Sequence, residues 1–270
     1  MQALRRLAAF GALTSLFLTA QSVGPGDQRR KPRVVAVILA DVTSSLNQDE
    51  SMEVADLAAS AIAALPQRSQ VRLYPIHKAT ENPQLIRAET IYDDADIRKA
   101  LEQPRRIRIR KQIAELYEKI NHPPQSDDAR TCILDELFFA GNYFGHPEFA
   151  HDRKVLLIVS DMLEDCGSTP LGQEIHLNKL DLRKELAAAQ KAPPIPGLAG
   201  VTIVAVLPPT SQSRYHRGKH PRLEDLEAFW NEIVLRAGNG SKEKPCTIDW
   251  RRGELPESLG QEATKTDCAR

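Results

Sequence analysis

The sequence predicts an α/β fold, a three-layer sandwich in which helices cover both faces of a mostly parallel central sheet. Three observations carry that expectation. Residues 34–40 and 155–159 are unbroken apolar runs rich in valine, isoleucine and leucine, as strands buried on both faces require. Helical patterns alternate with these and the other strand-like segments. Both runs end in polar residues, Asp41 and Ser160-Asp161, and the carboxyl ends of strands are where open α/β sheets form ligand sites.

The elements follow in order. After the first strand, Ala55, Ala58, Ile62 and Leu65 recur at helical spacing; Asn47 and Glu50 stand three apart as a capping pair, and Pro66 closes the helix. Residues 71–76 read as a second strand, and Tyr74-Pro75 at its end places it toward an edge. Residues 85–92 read as a short edge strand and 94–120 as a helix broken near Pro104. Leu134, Leu137, Phe138 and Gly141 form the next helical stripe. A helix is expected over 177–191 and a strand over 201–207, closed by Pro208-Pro209. The last helix carries Leu223, Leu226, Trp230 and Ile233, with Gly238 at its C-cap.

Arg5 and Arg6 precede an uncharged apolar run over residues 7–20, and small Ala20 and Ser22 follow. This is the pattern of a secretory signal, residues 1–22, cleaved after Ser22. The expected location is therefore secreted or periplasmic. The run is short for a permanent anchor, and no later run reaches spanning length, so no transmembrane segment is expected after cleavage. Lys and Arg number 36 and Asp and Glu 36, so no global field draws the chain to nucleic acid, and no nucleic acid is expected as a partner. The basic run Arg105-Arg106-Ile107-Arg108-Ile109-Arg110-Lys111 reads first as a solvated helix face, offset by Glu115 and Glu118. It remains open to an acidic partner, anionic lipid or nucleic acid. His216 and His220 flank Gly218 in a polar stretch without acidic or thiol companions, which argues against zinc.

Four cysteines, Cys132, Cys166, Cys246 and Cys268, suggest disulfides in an oxidising compartment; four cysteines allow three connectivities. No Cys-x-x-Cys pair exists to hold zinc.

Asp41-Val42-Thr43-Ser44-Ser45 places a carboxylate and alternate hydroxyls just beyond the first strand. In an extended turn, positions 41, 43 and 45 face one space. Asp161 ends a later strand, and Thr131 stands at a loop-to-helix junction. All are hard oxygen donors, a set that suits Mg2+, with Ca2+ or Mn2+ as alternatives. The pattern Asp-x-Thr-x-Ser, a distant Thr and a Ser-Asp after an apolar strand resembles the metal ion-dependent adhesion site of von Willebrand factor A (VWA) and integrin I-like domains. The resemblance covers about residues 33–238, leaving 239–270 as a C-terminal extension. It implies a Rossmann-type sandwich in which Thr43, Ser45 and Thr131 supply hydroxyl ligands, while Asp41 and Asp161 bind directly or through water. It also implies a protein partner that offers an acidic residue to the metal. Thr43 replaces the more frequent Ser, and Met162 stands where the family has Gly after the last Asp. In the inferred fold the loops carrying Cys132 and Cys166 meet, which pairs those two and leaves Cys246 with Cys268.

Catalytic patterns do not assemble. There is no Gly-x-Ser-x-Gly elbow and no Gly-x-x-x-x-Gly-Lys loop, and Thr43 takes the place of the second Asp that haloacid dehalogenase-like phosphatases need. The expectation is a non-enzyme. The alternatives are a metal-dependent hydrolase using Asp41 and Asp161, or a structural VWA domain with no functional metal.

Overall fold

Residues 34–40 do form a strand, β1 (Val34–Asp41), and every one of its residues is buried. Its odd positions Val35, Val37 and Leu39 enter one core, and its even positions Val34, Ala36, Ile38 and Ala40 the other. A strand whose successive side chains alternate between two apolar layers must be apolar throughout.

The computed structural model describes residues 34–78, 85–91, 94–121, 130–166, 175–176, 187, 195–215, 221–237, 248–255 and 259. After β1 come α1 (Gln48–Ala64), β2 (Gln70–Ile76), β3 (Arg87–Thr90), α2 (Ala95–Asn121) and α3 (Ile133–Phe144). Then follow β4 (Arg153–Val159), β5 (Asp165–Cys166), β6 (Ile175–His176), β7 (Val201–Leu207), α4 (Leu223–Ala237) and β8 (Asp249–Arg252). The main sheet runs β3-β2-β1-β4-β7-β8. All neighbours are parallel except β2 with β3; β5 and β6 form a separate small ladder.

α1 and α2 supply residues to the core on one face, α3 and α4 to the core on the other. The chain moves outward from β1 to β2 and then returns to β4 on β1's other side. With right-handed crossovers this reversal sends the helices to opposite faces. It also opens a crevice between the carboxyl ends of β1 and β4, where Asp41 and Ser160 stand.

Asn47 caps α1 as expected. Its Oδ1 accepts the Glu50 N–H at 3.0 Å, and Glu50 Oε2 accepts the Asn47 N–H at 2.7 Å. Asn47→Ala is expected to cost about 1 kcal/mol, measured as a lower midpoint in urea denaturation.

Pro75 is tolerated in β2 because β3 pairs only with Gln70 to Leu73, so no neighbour on that side needs the missing N–H. Pro104 does not break α2, which continues through it. Ala100, whose carbonyl loses its partner, and Pro104 are both exposed, so water can serve that carbonyl. The segment after Asn239 contributes β8, whose register on β7 pairs Val204 with Asp249 and Leu207 with Arg252. The expected helix over 177–191, apart from Ala187, and Gly238 lie outside the described residues, as do His216, His220, Cys246, Cys268 and residues 1–22. No helix among the described residues is long and apolar enough to cross a membrane.

Candidate metal centre

The turn after β1 is organised by its own hydroxyls. Asp41 is buried, and its Oδ1 accepts both the Thr43 N–H at 3.0 Å and the Thr43 hydroxyl at 2.6 Å. Its Oδ2 accepts the Ser160 hydroxyl at 2.7 Å. This last bond crosses from β1 to β4 and closes the crevice at its base.

Three hydroxyls gather above that carboxylate. Thr43 Oγ1 lies 2.6 Å from Thr131 Oγ1 and 3.0 Å from Ser45 Oγ, and the Thr131 hydroxyl donates to Ser45 Oγ at 3.3 Å. Neighbouring oxygens around an octahedral ion with bonds of about 2.0–2.1 Å stand about 2.9 Å apart. The three hydroxyl oxygens stand within hydrogen-bond distance of one another, close enough for one cation to touch all three. The donor set, hydroxyls beside a carboxylate, is of the hard-oxygen kind that divalent cations take. Thr43 and Thr131 are buried, Ser45 is half-buried and Ser44 exposed, so the triangle opens toward the surface beside Ser45.

Asp161 follows Ser160 directly, and its buried carboxylate accepts the Leu163 N–H at 3.1 Å. Its backbone carbonyl accepts the Tyr215 hydroxyl. The next residue resolves the departure seen in sequence. Met162 has φ of 61°, the left-handed conformation that glycine adopts freely. Holding a methionine there costs on the order of 1–2 kcal/mol. Ser160 Oγ accepts the Met162 N–H at 2.9 Å, Trp230 Nε1 donates to the Met162 carbonyl at 3.0 Å, and the side chain is fully buried. The loop keeps its bend without the glycine.

Thr131 is held from two sides. The Asp165 N–H donates to its carbonyl at 2.8 Å, and the adjacent Cys132 is joined to Cys166, with Cα atoms 5.0 Å apart. The expected Cys132–Cys166 disulfide is present. Cys132, at the start of α3, offers no side-chain cap. Buried Glu164 takes that role: its Oε2 accepts the Ile133 N–H at 2.6 Å and the Leu134 N–H at 3.2 Å. Burial holds the Glu164 carboxyl well above the usual carboxylate range despite these amides. Cys132, Glu164 and Cys166 bring ligand-type atoms within 4.8 Å of one another. With both sulfurs in a disulfide no thiolate exists there to bind a metal.

Sequence reading named Asp41, Thr43, Ser45, Thr131 and Asp161, and the first four share one hydrogen-bonded cluster. It missed the part played by Ser160, although a hydroxyl ending a fully buried strand was a usable signal. Trp230, expected as core, is buried and also fixes the Met162 loop.

The sheet order and the flanking helices make this an α/β sandwich with a mostly parallel six-stranded sheet. Solved structures similar to it include a von Willebrand factor type A protein from Catenulispora acidiphila, at 12% identity and TM-score 0.39, covering 75% of this chain and 37% of that one. The pilus adhesin SpaC from Lactobacillus rhamnosus GG is 11% identical at TM-score 0.43, covering 85% of this chain and 28% of that one. The manganese-loaded TRAP protein of Plasmodium vivax is 10% identical at TM-score 0.36, covering 82% and 69%. The chain thus spans about a third of the length of the first two. No family model and no curated protein sequence matches it.

Proposed function

We propose that this chain is an exported binding protein whose VWA-like domain holds a divalent cation, Mg2+ first, and engages an acidic residue of a protein partner through it. The observation that carries the reading is the triangle of Thr43, Ser45 and Thr131 hydroxyls above the buried Asp41 carboxylate. These three residues would bind the ion directly, and Asp41 and Asp161 would bind it directly or through water. Neutral hydroxyls leave much of the ion's charge uncompensated, so a carboxylate replacing one water completes its sphere. Export follows from residues 1–22 and suits the disulfide beside the site. Thr43 and Ser160 donate to both Asp41 oxygens, which fixes the carboxylate beneath the hydroxyls and suits holding an ion.

Magnesium titration followed by thermal unfolding tests the site. The native chain is expected to gain about 2.7 kcal/mol at a hundredfold excess over Kd, a rise of a few degrees in Tm. Asp41→Ala and Ser45→Ala are expected to show none. A Tm indifferent to every divalent ion would refute the centre. Magnesium-dependent phosphatase turnover lost in Asp41→Ala would replace the binding reading with a hydrolase.

A further inference from the structure

α2 carries three of the four large apolar side chains that are exposed among the described residues. Ile97 is 44%, Leu101 37% and Ile107 59% exposed; the fourth is Leu85. At 3.6 residues per turn, Ile97, Leu101, Pro104, Arg108 and Lys111 follow one another at steps of three or four along a single stripe, with Ile107 beside it. Arg105, Ile109, Ile113, Leu116 and Ile120 form the separate, buried stripe. The one carboxylate between Ile97 and Lys111, Glu102, lies about 140° around the helix from the exposed stripe.

The structure also sorts the basic run. Arg105 is buried against Glu89, Arg106 donates to Ser60 Oγ at 3.3 Å, and Arg110 pairs with Asp56 at 3.2 Å. Arg105 and Arg106 face the protein, and Arg110, though exposed, is paired. Arg108 and Lys111 are exposed on the apolar stripe, and Lys111 meets Glu115 only at 3.7 Å and 74% exposure.

We infer that the outer face of α2 from Ile97 to Lys111 docks on an anionic membrane surface. Ile97, Leu101 and Ile107 enter the boundary between headgroups and acyl chains, and Arg108 and Lys111 meet phosphate oxygens. From Ala95 to Pro104 only Arg98 is not exposed, so this end of the helix stands proud as a convex ridge. A deformable lipid surface accepts such a ridge without a matching groove, and exposed Arg108 and Lys111 beside the apolar side chains complement anionic headgroups. The other end of α2 touches the metal-site loop: Tyr117 donates to the Leu46 carbonyl at 3.1 Å and Asn121 to that of Val42 at 3.0 Å. Lys111, the near end of the docking face, lies about 15 Å along the helix from Asn121.

Sedimentation of the full chain with phosphatidylglycerol–phosphatidylcholine vesicles, against phosphatidylcholine alone, tests this. The expected result is salt-sensitive binding to the anionic vesicles, reduced about tenfold or more by Ile107→Asp and clearly weakened by Arg108→Glu. Arg252→Glu, a like charge change at the exposed end of β8, should leave it unchanged. In the Ile107→Trp variant the introduced indole, read as the difference from the native emission of Trp230 and Trp250, should shift to the blue on anionic vesicles, which reads this face whatever residues 7–20 do. Equal binding by the native chain and Ile107→Asp, equal binding to neutral vesicles, or an indole emission in Ile107→Trp that vesicles leave unmoved overturns the inference. So does self-association lost in Ile107→Asp without vesicle binding, which assigns the face to a second copy.

Discussion

Gly141→Ala is expected to lower stability by about 3 kcal/mol or more, enough to leave a marginally stable domain partly unfolded at room temperature. Gly141 lies on α3 and faces the segment before β7. A Cβ built on it meets the Pro196 carbonyl oxygen at 2.0 Å and the Pro196 carbonyl carbon at 3.2 Å. The partner is equally bare: Gly197 has φ of +70°, and a Cβ there meets the Gly141 carbonyl oxygen at 1.9 Å. Two backbones touch without side chains between them, so no rotamer change can relieve the added methyl. Either α3 moves off the sheet or the segment at 195–200 moves, and Ile195 and Leu198 in that segment belong to the same core as Leu137 and Phe144. Because α3 starts at Ile133, two residues after Thr131, displacement should also weaken the proposed cation binding. The urea midpoint of Gly141→Ala against Gly145→Ala measures the effect. A Cβ at Gly145 meets nothing nearer than 3.3 Å, so the second variant should fall well short of the first; equal losses would refute the backbone-contact explanation.

The parts of this molecule that were legible in sequence are those whose physics is local. Residues 34–40 announced a central strand because burial on both faces forces continuous apolarity. Asn47 and Glu50 announced a helix start because the capping pair needs only three residues of chain. The hydroxyl spacing from Asp41 to Ser45 was legible for the same reason, and Thr131 and Ser160-Asp161 became meaningful once the sheet order set their strands and loops side by side. Of the edge strands, β3 falls within residues 85–92, where an edge strand was expected. β8 reads Asp-Trp-Arg-Arg; a half-exposed edge carries polar side chains, so no apolar run marks it. The basic run on α2 was ambiguous because its pairing depends on Glu89, Ser60 and Asp56, distant in sequence. The left-handed Met162 was unreadable for a different reason. Its support comes from Trp230, 68 residues on, and no sequence rule assigns a positive φ to methionine.

Raising the pH from about 5 to 9 is expected to destabilise the domain by several kcal/mol, with Glu136 one of the contributors. Glu136, on α3, is fully buried, and neither carboxyl oxygen has a hydrogen-bond partner. Burial, aided by the nearby Asp135 charge, raises its pKa from 4.5 to about 8; Asp135 is likewise pushed from 3.8 to about 7 by burial. The folded state thus holds the Glu136 proton over a range where the unfolded chain has released it. Its stabilising effect is whole below about pH 4.5, declines as the pH rises, and is spent above about 8. At about 1.4 kcal/mol per unit, the loss attributable to Glu136 is on the order of 3–5 kcal/mol. Asp135 and Glu164 act with the same sign, so the native chain alone does not isolate it. Glu136→Gln does, because the amide keeps the shape and cannot ionise. Urea denaturation of the variant should show a much shallower fall between pH 5 and 9, and greater stability than the native chain at pH 9. Equal slopes in the two proteins would mean that Glu136 finds a cationic partner in solution and carries its charge there.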